Sequence, residues 1–158
     1  MSGVMGSREI MDLVSPYEIG ATMANNPPGC AAALAALDVM MEEQLAERAV
    51  RLGKLLKQTL QSYGPLPHTI DLQGSGMFWS IGIQQKPPHV TGRRIAALLA
   101  QRGVLSNAVG SGARLRICPP LTISEEDLVE GLKRIVEALR DVQNIELGTI
   151  PGETLEMS

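Results

Sequence analysis

Apolar residues in the first third of the chain recur at helical spacing. Leu34, Leu37, Met41, Leu45, Ala49, Leu52, Leu56 and Leu60 fall three or four positions apart, the repeat that lines one face of an α-helix. Glu43, Glu47, Arg48, Arg51, Lys54 and Lys57 fall on other faces. The spacing therefore predicts one long helix from Cys30 to about Ser62. Its first part, CAAALAALDVMM, is apolar nearly all round, which predicts packing on more than one side, against a domain or a partner. Pro27 and Pro28 stand just ahead of it, where a missing N–H costs no helical bond. Upstream, residues 1–24 read as irregular, apart from a short helix at Ser7–Val14 that Ser7 would cap.

YGPLP, with Gly64, Pro65 and Pro67, ends the long helix. Two short strands follow, His68–Leu72 and Met77–Ile83, joined by a turn at QGSG, Gln73–Gly76. Thr91 is placed to cap a helix running to Arg102, with Ile95, Leu98 and Leu99 on its inner face and Gly103 as its stop. Val104–Ser106 and Arg114–Cys118 read as two further strands around the loop NAVGSGA. Ser124 then opens a last helix, with Asp127 three residues on as in a capping box. Its buried stripe is Leu128, Leu132, Ile135, Val136 and Leu139. After Asp141 the period fades, so residues 142–158 read as a flexible acidic tail. Strands interspersed with amphipathic helices predict an α+β domain: a small antiparallel or mixed sheet with helices on one face.

The 158 residues suffice for one domain with a real core. Only 3% are aromatic, so that core must come from aliphatic residues and methionine. A net charge of −3 with scattered bases argues against nucleic acid or an anionic membrane surface as partner. No apolar run approaches the roughly 18 residues of a membrane span, and the start MSGVMGSREIMD lacks the layout of a secretion signal. Cys30 and Cys118 have no CxxC spacing, and His68 and His89 are the only histidines. No metal site is expected, and the cysteines read as reduced and buried in a cytoplasmic protein.

Four stretches carry a family likeness: SPYEIGATMANNPPGCAAALAALDVMMEEQLAERAVRLG, GSGMFWSIGI, RGVLSNAVGSGARLRICPPLTISEEDL and GLKRIVEAL. In order and spacing they resemble the C-terminal portion of class III pyridoxal-phosphate aminotransferases of the ornithine and acetylornithine type. The resemblance covers about Ser2 to Val142. It implies the C-terminal small domain of a fold-type I enzyme over residues 25–141, and pyridoxal phosphate as the family's cofactor. It implies that Thr22 contacts the cofactor phosphate of a neighbouring subunit, and that Arg116, in an R-x-x-P-P-like segment, grips the substrate α-carboxylate. It also implies that the Schiff-base lysine lies ahead of this segment, since no lysine here precedes Lys54. Around Thr22 the chain departs from the family's usual wording, with Ile19, Met23 and Ala24 to Pro27 as A-N-N-P.

Each site residue also has a plain structural reading. Thr22 can be a turn hydroxyl beside a helix start, and Asn25 and Asn26 turn formers. Arg116 can be a strand arginine paired with a surface acid. Glu18, His68 and His89 are candidate acid/base groups without a partner that sequence can place. Cys118 reads as inert in an apolar strand.

Two functions follow. In the first, the chain is a truncated ornithine-aminotransferase-like protein. It is not competent for transamination alone, binds no cofactor alone, and lends Thr22 and Arg116 to a site completed by a lysine-bearing large-domain chain. In the second, it is a stand-alone, cofactor-independent enzyme of cyclase, isomerase or aldolase type, or a binding protein, acting on a small apolar metabolite. Either way the apolar CAAALAALDVMM face predicts a homo-oligomer or another protein partner.

Overall fold

The computed structural model describes residues 3–15, 18–20, 22–24, 26–146 and 148. The chain forms two compact units, Met1–Leu45 and Ala46–Ser158. In the first unit lie α1 (Arg8–Met11) and α2 (Pro27–Glu42). Ser7 takes the N-cap position of α1 but makes no side-chain capping bond there. Asn26 caps α2 instead of merely turning the chain: its Oδ1 accepts from Gly29 N at 2.8 Å, and Pro27 and Pro28 take the first two helical positions. The Asn26 Nδ2 donates to Met23 O at 2.7 Å, so one side chain ties the Thr22–Ala24 turn to the start of the helix. Asn25 and residues 149–158 lie outside the described residues.

The long helix expected over Cys30–Ser62 is two. After α2 the chain turns at Glu43 and Gln44, where Gln44 is left-handed with φ 49°, and α3 then runs over Leu45–Ser62. The apolar stripe divides with it. Leu52, Leu56 and Leu60 of α3 are buried, whereas Leu34, Leu37 and Met41 of α2 are 64%, 54% and 79% exposed. The α2 sequence is apolar nearly all round, so no one face of it is marked for a core.

The second unit continues from α3 with β1 (Thr69–Ser75), β2 (Phe78–Ile83), α4 (Gly92–Gln101), β3 (Asn107–Val109), β4 (Arg114–Ile117) and α5 (Glu125–Asp141). The four strands make one antiparallel sheet in the order β1-β2-β4-β3, and the α+β class holds. β1 reaches three residues further than expected, because the hairpin turns at Gly76 and Met77, with Gly76 at φ 53°. Trp79 Nε1 donates to Gly76 O at 2.7 Å and closes that turn. The strand expected at Val104–Ser106 forms three residues later, at Asn107–Val109, where it pairs with β4.

Alternation along β2 and β4 defines the two faces of the sheet. Trp79, Ile81, Ile83, Leu115 and Ile117 are buried. They share one core with Leu52, Leu56 and Leu60 of α3, Ile95 and Leu99 of α4, and Leu128, Leu132 and Leu139 of α5. Gly53 lets α3 approach the hairpin, since a Cβ there would run into the Gly76 carbonyl. Thr91 and Ser124 cap α4 and α5 as expected, each accepting from the amide three residues on. Arg48 Nε and Nη2 donate to Leu121 O and Ile123 O at 3.0 and 2.6 Å, which pins the loop after β4 to α3. Val142, just past α5, is fully buried in the same core.

Candidate functional site

The outer face of the sheet carries the residues that alternate with the core: Asp71 and Gln73 from β1, Phe78 and Ser80 from β2, Arg114 and Arg116 from β4. Register sets Arg114 opposite Gly82 and Arg116 opposite Ser80. The two arginines sit two positions apart on one strand, yet their surroundings differ.

Arg114 is fully engaged. Its Nη2 meets Asp71 Oδ1 at 2.7 Å, its Nη1 reaches Asp71 Oδ2 at 3.4 Å, and its Nε donates to Ser80 Oγ at 3.0 Å. Gly82 makes room for this pair, because a Cβ there would lie 2.6 Å from Asp71 Oδ1. The hydrogen bond from Arg114 holds the Asp71 carboxyl below the ordinary aspartate range, against the opposing effect of partial desolvation. This arginine is structural: it ties β1 to β4 across β2.

Arg116 is exposed and makes no ion pair among the described residues. Its guanidinium carbon lies 5.2 Å from the centre of the Phe78 ring. Its backbone is braced, since Ser106 Oγ donates to Arg116 O at 2.7 Å and Asn107 of β3 pairs across from it. A guanidinium with free donors on a fixed strand can grip a carboxylate through two parallel hydrogen bonds. The sequence left Arg116 open to pairing with a surface acid; among the described residues the acid on this face, Asp71, pairs with Arg114 instead.

A cavity of about 380 Å³ opens beside the end of β4 and is lined by Ile117, Cys118, Pro119, Leu128 and Leu132, with Arg116 at its boundary. Core residues Ile117, Leu128 and Leu132 line it together with Arg116, whose guanidinium carbon also stands near the Phe78 ring.

The remaining sequence candidates are dispersed. Thr22 and Glu18 belong to the first unit. Thr22 is exposed in the turn before α2, and its hydroxyl has no partner among the described residues. Glu18 accepts from Ser15 N at 2.8 Å, which makes it a turn cap. His68 precedes β1 with φ 58°, and its carbonyl accepts from Gln84 N. Burial, helped by the nearby Lys86 charge, lowers its pKa below the usual histidine value. Gln84 is four residues from Ser80, the partner of Arg116, roughly 13 Å at strand rise, so His68 stands well along the sheet from Arg116. His89 is exposed in the turn between Lys86 and Val90. The cysteines differ from expectation: Cys118 is exposed and Cys30 half-buried, because Cys118 falls just past β4 and α2 is not enclosed. Among the described residues no group of histidine, cysteine and carboxylate side chains could hold a metal, and no helix is long and apolar enough to cross a membrane.

Sequence reasoning missed Phe78 and the Asp71–Arg114 pair. The alternation RLR against FWS carried the signal for the first, because it puts Phe78, Ser80, Arg114 and Arg116 on one face.

A model of the aminotransferase class-III family matches residues 1–139. The chain is 36% identical over 147 residues to a probable 4-aminobutyrate aminotransferase of Bacillus subtilis, covering 89% of this chain and 34% of that protein. It is 35% identical over 149 residues to an ornithine aminotransferase of Schizosaccharomyces pombe, covering 93% and 33%. An acetylornithine aminotransferase from Elizabethkingia anophelis superposes with a TM-score of 0.72 at 33% identity, over 84% of this chain and 33% of that one. An ornithine aminotransferase from Toxoplasma gondii, with pyridoxal phosphate in partial occupancy at its active site, superposes with a TM-score of 0.72 at 30% identity, over 85% and 32%. The chain thus spans about a third of the length of the relatives it matches. Family match, identity and fold agree, and the chain belongs to the class III aminotransferases.

Proposed function

We propose that this chain is the carboxylate-gripping part of an ornithine-type class III aminotransferase, and that it does not transaminate by itself. The observation that carries the reading is Arg116. It is exposed and unpaired among the described residues, while Arg114 beside it is consumed by Asp71. In this reading the Arg116 fork binds and orients the α-carboxylate of an amino-acid substrate, and the Thr22 hydroxyl contacts a cofactor phosphate oxygen. The site is completed by residues that this chain does not supply.

Pyridoxal phosphate, when bound, supplies the electron sink for amino-group transfer. The described residues do not make a home for it. In this reading its phosphate meets the exposed hydroxyl of Thr22. Reaction with a carbonyl calls for a desolvated lysine, whereas Lys54, Lys57, Lys86 and Lys133 are all exposed. No step is therefore assigned to this chain beyond binding and orientation. The exposed apolar residues of α2, Leu34, Leu37 and Met41, support a protein partner or a second copy in the working assembly.

The test is complementation. The chain is co-expressed with the preceding two-thirds of an ornithine aminotransferase, and amino transfer from ornithine is measured. The reading expects activity from the pair that Arg116→Gln and Thr22→Ala each reduce. A pair whose rate ignores Arg116→Gln would overturn it.

A further inference from the structure

We propose that Phe78 is the positioning residue of the carboxylate site, holding the Arg116 guanidinium without neutralising it. This rests on the reading of Arg116 as the carboxylate grip. Register places the contact: Ser80 pairs with Arg116, and Phe78 is two residues back on the same face, a diagonal neighbour within reach of a long side chain. The ring centre is 5.2 Å from the guanidinium carbon, inside the range of a cation–π contact. Phe78 is 59% exposed while its neighbour Trp79 is 7% exposed. The ring therefore does little for the core, and the guanidinium is its partner on this face.

The choice of an aromatic partner has a chemical consequence. Arg114 shows what an acid does at this strand: Asp71 fixes the fork but occupies its N–H donors and cancels its charge. A ring fixes a guanidinium through its π-face and accepts none of its in-plane hydrogen bonds. Arg116 is thus held in place with its positive charge and its bidentate edge still open to a carboxylate. Ser106 and Asn107 fix the backbone beneath it, so ring and strand together restrict the fork before any ligand arrives. That restriction lowers the ordering cost of binding.

The experiment uses the full chain, labelled with nitrogen-15, and sodium propionate exchanged for chloride at constant ionic strength. The readouts are the order parameter and shift of the Arg116 Nε–Hε signal, and the shifts of the Ser106 and Asn107 amides. Wild type is expected to show an ordered Nε–Hε and a saturating shift. Phe78→Leu, which keeps apolar bulk, is expected to lower the order parameter and weaken propionate about two- to five-fold. Phe78→Tyr is expected to restore both. The far-ultraviolet spectrum of each variant should match wild type, since the side chain is exposed. Equal order and affinity in Phe78→Leu and wild type would overturn the positioning role and leave the carboxylate reading standing. Amide shifts that survive Arg116→Gln would overturn the carboxylate reading itself, whatever the ring does to the Nε–Hε order.

Discussion

Replacing Arg48 by methionine removes the two bonds that hold the loop after β4 to α3, from Nε to Leu121 O and from Nη2 to Ile123 O. Hydrogen bonds from a charged donor contribute about 1.5–3 kcal/mol each when well made. Both here are partly buried, so water recovers part of the loss at each carbonyl, and methionine keeps much of the packing of the arginine stem. Taken together the loss is about 2–3 kcal/mol. At ~4 °C per kcal/mol for a unit of this size, the Tm falls by roughly 8–12 °C. Trp79 is the sole tryptophan and is 7% exposed within the same unit, so its fluorescence reports the unfolding of that unit in urea. Arg48→Lys, with one compact cation in place of the fork, should lose about half as much. A methionine variant within ~0.5 kcal/mol of wild type would refute the reasoning, because that is the size of an ordinary surface change.

Other outcomes follow from the same geometry. The Asp71 carboxyl is held below its ordinary value by Arg114, so its stabilising effect is complete above about pH 4 and is lost as the pH falls through the lower folded value. The gap in urea midpoint between wild type and Asp71→Asn should therefore be open at pH 7 and close in an acid series below about pH 4. Leu56→Ala, at a position with no exposure, should cost about 2–5 kcal/mol in the same urea assay. Gly53→Ala drives a Cβ into the Gly76 carbonyl and should cost about 1–3 kcal/mol. Gly131→Ala, in α5 with open space around its Cβ, should stabilise the unit by roughly 0.5–1 kcal/mol in the same assay.

The helices with one-sided stripes were legible because burial and period coincide in them. Leu52, Leu56 and Leu60 of α3 and Leu128, Leu132 and Leu139 of α5 are all buried. The break between α2 and α3 was not legible, since it turns on a left-handed Gln44, a residue type without a strong preference for that conformation. β3 was misplaced by three residues because Val104–Ser106 opens on two aliphatic residues, whereas Asn107–Val109 opens on asparagine, a residue depleted in strands. Pairing with β4 decides between them, and Asn107 against Arg116 is a long-range fact. The same limit applied at the site. The RLR segment showed two arginines on one face, but Asp71, which claims Arg114, stands 43 residues away in sequence. Family resemblance selected Arg116, which the structure leaves exposed and without an ion pair among the described residues. The burial expected of Cys118 came from general cysteine habits, and its position just past β4 overrides them.

The central claim is that this chain binds and orients but does not complete amino transfer. The most direct measurement is glutamate or alanine formation from the matching 2-oxo acid, with ornithine or 4-aminobutyrate as donor, by the purified 158-residue chain supplied with pyridoxal phosphate. The account predicts a rate equal to pyridoxal phosphate without protein, unchanged by replacing all four lysines with arginine. Turnover above that background, abolished by a single lysine replacement, would contradict it and place the whole reaction within this chain.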